Sequence, residues 1–588
     1  MVTRQIVGAA LFVTLVATSQ PAGKGAPMKP TATAGAPATS VLLKEVPWVG
    51  FYQGSKKGNP EDHPLPSVMR ALMEYTGSDL GLPGFVDQRG KWRWSACALF
   101  HGVTGSGFAF NWKQPYGEGH LGRGLVHSYD RAFVAAGLSR QMLLRSSFAA
   151  TYDHAGRVSD DAVEYRRLIV QSIRDRRLPV IAIGVIGPEE PCLISGFQDE
   201  GEVIVGWNFF LDEARKDPRV SFDAEGRFVM RDWFRDTHAI AVPGAPLAPP
   251  PDRRDLRVQA LRQNLALLGN CGSDDAPFGS AAYQAWIEYL LAPIPDPVAA
   301  DPRQIKPLHA KHNEPVGELA ERRAYAASFL EHAVKELPAV AKELQRARYC
   351  HQAMHDILWR VWQTVGVWHK TDDAKLLRFA DPAFRTELAS LVRRLQAWDL
   401  ESAKHIREAL AKLGVADLPA LPAPKPIKGL RDLGVEHPLP GQLGRLAEAP
   451  GPFLPGVPAP RGPDLAAAIR AATAVTDWPI DAPANAMADL RAWGEKAGWQ
   501  LRIVNVSPDE QTLPRARRIN DVILSCLYGL PVATTHDGKP VVVTGYNHLA
   551  GETLRVRLPD QADDAPAAKI RMDDKGWGPT WVFLAGRK

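Results

Sequence analysis

A thiol and two imidazoles are the first residues of this sequence that could do chemistry together. Cys97 lies in Trp-Ser-Ala-Cys-Ala-Leu-Phe-His, which ends in His101, and His238 directly precedes a strand-like run. A cysteine with an imidazole in reach can form the thiolate nucleophile of a hydrolase or an acyltransferase. Cys97 could begin a short helix, and either histidine could serve as its base. The competing interpretation is a buried structural cysteine, with histidines that lie at the surface or cap a turn.

Two segments of the chain, 178–208 and 530–560, read alike. Each opens with Leu-Pro-Val after an amphipathic helix and continues with two more strand-like runs separated by turns. The middle run ends in Gly196 and Phe197 in the first copy and in Gly545 and Tyr546 in the second. Two related domains explain this similarity better than a solenoid does, because a solenoid repeats about every 20 to 50 residues.

The repeated strand pattern resembles the C-terminal half of papain-like cysteine peptidases. In that superfamily the middle strand begins with the catalytic histidine, and the resemblance puts Glu190 and Lys539 at that position. It also implies a third partner on the next strand, close to Asn208 and Asp560. A carboxylate in place of the imidazole would repel a thiolate and raise the pKa of the thiol. The resemblance therefore implies the fold without its usual chemistry, and these four residues become candidates for ligand binding.

Three short motifs carry a narrower resemblance: Pro-Leu-Pro-Ser-Val-Met-Arg-Ala-Leu from Pro64, Tyr-Thr-Gly from Tyr75, and Thr-Gly-Ser-Gly-Phe-Ala-Phe from Thr104. Over roughly residues 45 to 410 the chain is similar to the butirosin biosynthesis protein H family. That resemblance implies a papain-like domain before a helical domain, and acyl transfer from a carrier protein to an aminoglycoside. In that family a cysteine leads the first helix. Here the leading segment is Glu-Asp-His-Pro, with His63 and no cysteine.

A metal site in the helical region is a third possibility. His351 and His355 are one helical turn apart, and Asp356 follows them. That spacing permits two ligands to one metal ion. A third ligand could come from one of three residues of the same region: His312, Glu321 or His332. The competing interpretation is a solvated polar stripe beside the core face of a helix, and we expect no metal and no cofactor.

Length and composition bound the class of protein. A chain of 588 residues suggests about two to four domains, and 45% hydrophobic and 23% charged residues are ordinary for a globular protein. A net charge of +5 without a basic cluster argues against a nucleic-acid partner. Residues 1–20 read as a signal peptide, because the apolar run 6–17 is too short to span a bilayer. We therefore expect a secreted or periplasmic protein with no membrane segment in its mature form.

The predicted fold class is α+β, with two papain-like α/β units that have antiparallel sheets and flank an all-helical domain. The predicted divisions are a linker at 21–42, the first unit at 43–245, the helical domain at 246–415, a Pro-rich linker at 416–463 and the second unit at 464–588. Periodicity predicts helices in the helical domain at 257–268, 281–291, 318–332, 335–365 and 382–413, with a loop at 298–315.

Aromatic residues surround the Gly-rich stretch 102–110, and Trp94 among them is a candidate for ligand binding, although such clusters also form cores. These observations together predict an exported protein with degenerate papain-like domains. It would bind a peptide, a glycan or a small metabolite without efficient cysteine catalysis. The alternative is a thiol-dependent acyltransferase or amidase that uses Cys97 with His238 or His101. The sequence indicates neither the ligand nor the oligomeric state.

Overall fold

The computed structural model describes most of the first 423 residues and the strands of the C-terminal region. The described ranges are 39–50, 63–85, 89–112, 127–151, 154–187, 190–269, 272–273, 276–366, 371–423, 499–505, 519, 521–522, 532–537, 539–547, 553–557, 568–571, 577 and 580–587. The predicted signal peptide 1–20, most of both linkers and Asp560 lie outside these residues.

The first unit alternates helices and strands. Its elements are β1 (Val41–Leu42), α1 (Pro64–Thr76), α2 (Arg89–Thr104), α3 (Ser128–Ala135), β2 (Leu138–Leu144), α4 (Ser146–Thr151), β3 (Arg157–Val158), α5 (Ala162–Asp175), β4 (Val180–Ile183), β5 (Pro191–Gln198), β6 (Val203–Trp207), α6 (Leu211–Ala214), β7 (Val220–Phe222), β8 (Phe228–Met230) and β9 (Ala239–Pro246). Short 3-10 turns follow β5 and precede β9. The side chain of Asp161 caps α5 by accepting the N–H of Val163.

The strands of the first unit form one sheet in the order β3-β2-β9-β4-β5-β6-β8-β7, and β1 also pairs with β5. All of these pairings are antiparallel except that of β2 with β3. Strands β4 and β6 are buried along their whole length and β5 along all but its last residue. Their apolar runs are continuous because both faces of the sheet are covered. The pairing of β1 brings residues 41–42, predicted to end the linker, into this unit.

Long helices dominate the middle of the chain. The elements are α7 (Arg253–Gly269), β10 (Gly272–Ser273), β11 (Ala276–Pro277), α8 (Ser280–Leu291), α9 (Asp296–Ala299), α10 (Pro302–Glu336), α11 (Ala341–Val365), α12 (Asp373–Ala380) and α13 (Pro382–Lys412). The loop predicted at 298–315 is wrong, since Asp301 caps α10 and Pro302 opens it. The helix predicted at 335–365 is interrupted, because Pro338 disfavours helical geometry at Leu337 and lacks an N–H.

The C-terminal region forms a second sheet. Its strands are β12 (Trp499–Asn505), β13 (Val532–His536), β14 (Lys539–Asn547), β15 (Thr553–Arg557), β16 (Ala568–Arg571) and β17 (Thr580–Arg587), in the order β12-β17-β13-β14-β15-β16. This order repeats β2-β9-β4-β5-β6-β8 of the first sheet, again with antiparallel pairings. The register shifts at the same place in both copies, before Gly196 and before Gly545. The prediction that residues 190–197 and 539–546 form matching central strands is confirmed.

The first sheet unit and the helical domain share one hydrophobic core. It contains Ile181 and Ile194 of the sheet as well as Phe329 of α10 and Ile406 of α13. A second core lies within the helical domain around Trp286 and Trp398. An ion pair between Arg394 of α13 and Asp521 connects the helical domain to the C-terminal unit. None of the helices in the described ranges is long and apolar enough to cross a membrane.

Candidate functional site

The N-terminus of α1, where a papain-like enzyme would carry its cysteine, holds a histidine. His63 has extended backbone dihedral angles (φ −133°, ψ 134°) and directly precedes Pro64. Its carbonyl accepts the N–H and the hydroxyl of Ser67 at 3.3 and 2.8 Å. The imidazole does not cap α1. The side chain instead extends toward α10, so the site lies between the first unit and the helical domain.

Two carboxylates of α10 lie beside this imidazole. His63 Nδ1 is 3.9 Å from Glu318 Oε1, and His63 Nε2 is 3.9 Å from Glu321 Oε2. The two glutamates share one face of α10, because residues three apart are neighbours on a helix. The side chains of His63, Glu318 and Glu321 are 11%, 7% and 15% exposed, so the cluster is largely enclosed. One nitrogen or oxygen atom from each residue lies within 4.8 Å of the other two.

Arg322 compensates part of the negative charge of these carboxylates. Its Nε and Nη2 atoms both lie 2.5 Å from Glu318 Oε1. Arg322 is also buried, and pairing is what makes the burial of a guanidinium and a carboxylate tolerable. Glu321 lies at the more open side of the cluster. Two carboxylates and one guanidinium therefore lie beside the His63 imidazole.

His101 lies next to the cluster on α2. Its Nδ1 shares a 2.8 Å hydrogen bond with Ser106 Oγ, whereas its buried Nε2 has no hydrogen-bond partner within the described part of the chain. Burial lowers the pKa of His101 well below its ordinary value, and His63 and Arg322 lower it further. His101 is therefore a neutral imidazole at neutral pH, with one nitrogen available as a ligand or a proton acceptor.

The rings of the site fix its geometry. His101 stacks on Tyr325 of α10 with centroids 4.2 Å apart, and His63 lies 4.6 Å from His101 and 6.0 Å from Tyr325. These separations form a nearly right-angled triangle with its corner at His101. The planes of the His63 and His101 rings lie at 83° to each other, whereas those of His101 and Tyr325 lie at 16°. Neighbouring Trp94 stacks on Tyr325 with centroids 4.5 Å apart and donates its indole N–H to Ser328 Oγ. Trp94 therefore contacts the site through the Tyr325 ring.

Cys97 does not occupy the position that papain-like chemistry requires. It lies in the middle of α2 rather than at the start of a short helix, which corrects the sequence-based expectation. A thiol in mid-helix receives no help from the unpaired N–H groups of a helix N-terminus. Cys97 is 1% exposed and packs with Ala98, Tyr325 and Trp94. His101, one turn later on α2, directs its Nδ1 to Ser106.

His238, the other candidate base, belongs to a different part of the unit. It precedes β9, with its N–H bonded to the carbonyl of Ile183 at 2.8 Å. Its ring stacks 6.0 Å from Phe148 and fills the space above Gly184, where an added Cβ would lie 2.1 Å from His238 Cδ2. Because Cys97 packs on α10, the structure gives the two residues of the predicted pair different neighbours. The assignment of His238 as the base of Cys97 therefore has no support in the geometry.

Glu190 and Asn208 are buried at the ends of the central strands. Glu190 precedes β5 near Tyr129, whose pKa is raised well above its ordinary value by burial and then by Glu190. Burial raises the pKa of the Cys192 thiol, on β5, to about 12, which makes that thiol unreactive. Asn208 follows β6 and donates from Nδ2 to the carbonyl of Phe210 at 3.2 Å. The structure thus places both residues inside the first unit, at the ends of its central strands.

Of the two binding candidates in the second unit, Lys539 and Asp560, the structure describes only Lys539. Lys539 begins β14 and pairs in register with His536 of β13. The start of β14 therefore matches the start of β5, as the repeat predicts. Asp560 lies outside the described residues.

The histidines proposed as metal ligands in the helical domain each have a separate partner. His351 Nε2 lies 2.8 Å from Ser402 Oγ, and His355 Nδ1 lies 2.7 Å from the carbonyl of Ala320. They are buried, so the alternative of a solvated polar stripe is wrong as well. Three other candidates also lie apart from each other: His312 accepts from Trp286, His332 pairs with Ser95, and Asp356 pairs with Gln352. Among the described residues, the group with metal-ligand spacing is His63 with Glu318 and Glu321.

Comparison with known proteins adds no assignment. No family model and no curated protein sequence matches this chain. Sequence reasoning noted His63 and considered Glu321 only as a partner of other histidines, and it missed Glu318. The Glu-x-x-Glu spacing at the start of the predicted helix 318–332 is the signal that could have found the pair, because it puts two carboxylates on one helical face.

Proposed function

We propose that this chain is an exported protein built on two papain-like units, which binds a peptide, a glycan or a small metabolite without cysteine catalysis. The observation that carries the proposal is the position of Cys97. It lies in the middle of α2 against Tyr325 and Trp94, whereas α1 begins at His63. A papain-like nucleophile needs a thiol at a helix N-terminus opposite an imidazole.

The duplicated sheet supports the papain-like part of the proposal. Both sheets share a strand order, antiparallel pairings and a register shift at the Gly-aromatic position. The first unit also has a helix before its sheet that begins with proline, as the narrower resemblance implies. The site residues differ from that pattern, since Glu190 and Lys539 stand at the start of the central strands. A scaffold kept without its nucleophile and base is typical of a protein that binds rather than transforms.

A thiol-dependent acyltransferase or amidase is the second candidate, and one contact favours it. Cys97 and His101 are one turn apart on α2 and both contact Tyr325 of α10. His101 has a lowered pKa and a ring nitrogen available to accept a proton. If a movement of α2 brought that nitrogen to the thiol, Cys97 would become nucleophilic. The two candidates therefore differ in the reactivity of one thiol.

Alkylation of the folded protein separates these two functions. The intact chain is treated with iodoacetamide at pH 7, and Cys97 and Cys350 are quantified by peptide mass spectrometry over time. Cys350 is a matched internal control, because burial raises its pKa well above the ordinary value. We expect both thiols to react more slowly than free cysteine, because both are buried.

Fast labelling of Cys97 alone, lost in His101→Gln and kept in His238→Gln, would favour the acyltransferase. Export is tested separately by sequencing the N-terminus of protein recovered outside the cytoplasm. Removal of about the first 20 residues is expected there. An intact Met1 would contradict the signal peptide.

A further inference from the structure

We propose that His63, Glu318 and Glu321 form a binding site for a divalent transition-metal ion. One ligand atom from each residue lies within 4.8 Å of the other two, and both measured nitrogen–oxygen separations are 3.9 Å. Two ligands of a tetrahedral Zn²⁺ ion, each at about 2.1 Å, lie about 3.4 Å apart. A single ion uses one nitrogen of His63, so the three ligand atoms, which lie within 4.8 Å of one another, must approach each other by up to about 1.4 Å to reach this separation. Rotations of the glutamate side chains supply a movement of that size.

The donor set selects the class of metal. One imidazole and two carboxylates mix a nitrogen donor with hard oxygen donors. Imidazole suits Zn²⁺ and other first-row transition ions, whereas Mg²⁺ and Ca²⁺ prefer ligand sets made of oxygen alone. Three protein ligands also leave a position open for water or a bound molecule, as in catalytic zinc sites. The site is therefore expected to prefer Zn²⁺ over Mg²⁺.

Two of the three proposed ligands are held by neighbouring side chains. The carbonyl of His63 is fixed by Ser67 in the first turn of α1. Glu318 is held by Arg322 through Oε1. Such orientation by outer partners is what metal sites use to fix their ligands.

His101 is an independent sign of a missing ligand. Its side chain is 1% exposed, and the Nε2 atom has no hydrogen-bond partner in the described part of the protein. A buried polar atom without a partner costs free energy unless water or an ion satisfies it. His63 and His101 are in T-shaped contact, with the two centroids 4.6 Å apart. His101 Nε2 is therefore a further nitrogen donor beside the cluster.

The proposed metal site does not depend on whether Cys97 is reactive. A reactive Cys97 would defeat the binding proposal and leave the metal site untouched, and an absent metal site would leave the thiol result unchanged. The competing interpretation of the cluster is purely structural, with Arg322 and Glu318 as a buried ion pair and His63 beside it. Glu321 separates the two interpretations, because Arg322 pairs with Glu318 in this structure.

The test measures Zn²⁺ binding to the full mature chain by isothermal titration calorimetry after chelator treatment. The wild type is compared with two ligand variants, His63→Gln and Glu321→Gln. Glu331→Gln is the control, since it removes the same charge from α10 about 15 Å further along the helix. We expect one Zn²⁺ ion per chain, and affinity that falls about 100-fold in both ligand variants, because even the loss of outer partners costs 10- to 100-fold. The control should bind as the wild type does, and Mg²⁺ should not compete.

The proposal is overturned if the wild type shows no saturable Zn²⁺ site, or if either ligand variant binds within about threefold of the wild type. Far-UV circular dichroism checks that the variants fold. If they do not, the absorption spectrum of Co²⁺ in the wild type decides. Weak visible bands without a thiolate charge-transfer band support the proposed nitrogen and oxygen ligands. A thiolate band would place the ion on a cysteine and contradict the proposal.

Discussion

Replacement of Arg323 by methionine tests the buried charge that joins the first unit to the helical domain. Arg323 is fully buried on α10. Its Nη2 lies 2.6 Å from Asp399 Oδ2 of α13, and its Nε lies 3.1 Å from Oδ1. Its Nη1 donates to the carbonyl of Gly107, in the turn after α2, at 2.8 Å. Tyr283 of α8 donates its hydroxyl to the same carboxylate. One side chain thus connects four segments of the chain.

The expected cost follows from what the substitution leaves behind. Arg323→Met keeps most of the volume but leaves the Asp399 carboxylate buried without its cation, which costs about 3–5 kcal/mol. The double variant Arg323→Met with Asp399→Leu removes both charges. Apolar replacement of a whole buried pair is often close to neutral. The double variant should therefore be more stable than either single variant, with a coupling free energy of about 2 kcal/mol or more.

Urea unfolding followed by far-UV circular dichroism measures these free energies, because most of the ellipticity comes from α7 to α13. Arg303→Met is the matched control on α10, since its side chain is 91% exposed and pairs with Asp301 at the surface. That control should change stability by no more than about 0.5 kcal/mol. A cost below about 1 kcal/mol for Arg323→Met, or costs that simply add in the double variant, would refute the reasoning.

Two further predictions concern stability. Burial lowers the pKa of His332 to about 4 from its ordinary 6.5, so the unfolded chain binds a proton that the folded chain excludes. Stability should be complete above pH 6.5 and fall by up to about 3 kcal/mol toward pH 4. His332→Gln should flatten that slope in acid titrations of unfolding, and a slope equal to that of the wild type would count against the argument. In α2, Gly102→Ala should destabilise by about 1–3 kcal/mol because its Cβ would lie 1.9 Å from the ring of Phe329. Gly90→Ala, with open space around it, should be neutral or stabilise by up to about 1 kcal/mol in thermal unfolding, and the reverse order would contradict the packing.

The duplicated sheet could be predicted from the sequence because its signals are local. The Leu-Pro-Val entry and the Gly-aromatic ending of the central strand recur in both copies, and both mark the same strand order and register shift. The runs predicted as strands in the first copy are β4, β5 and β6. These features depend on a few neighbouring residues, which is why a single sequence was enough.

The helices of the helical domain were harder to predict from the sequence, because proline favours the start of a helix but disfavours its interior. Pro302, Pro307 and Pro315 favoured a loop, yet α10 contains all three. Pro302 opens the helix after the Asp301 cap, and the long amphipathic packing of α10 outweighs the loss of N–H donors at the other two. Pro338 has the ordinary effect and separates α10 from α11.

The candidate site could not be derived from the sequence because its residues come from distant segments. His63 lies before α1, His101 on α2, and Glu318 and Glu321 on α10. No local spacing joins the first two to the glutamates, and only the packing of α2 against α10 brings them together. The pairing of Cys97 with His238 likewise joined two distant segments, and each residue looked suitable in its own segment.

The central claim is that Cys97 does not act as an acyl nucleophile. The most direct measurement is peptide mass spectrometry of the folded protein after incubation with a simple acyl thioester, acetyl-N-acetylcysteamine, at pH 7. The account predicts no acetyl group on Cys97, because this thiol is buried and lies in the middle of α2. One acetyl group on Cys97, formed quickly and absent from Cys97→Ser, would contradict it.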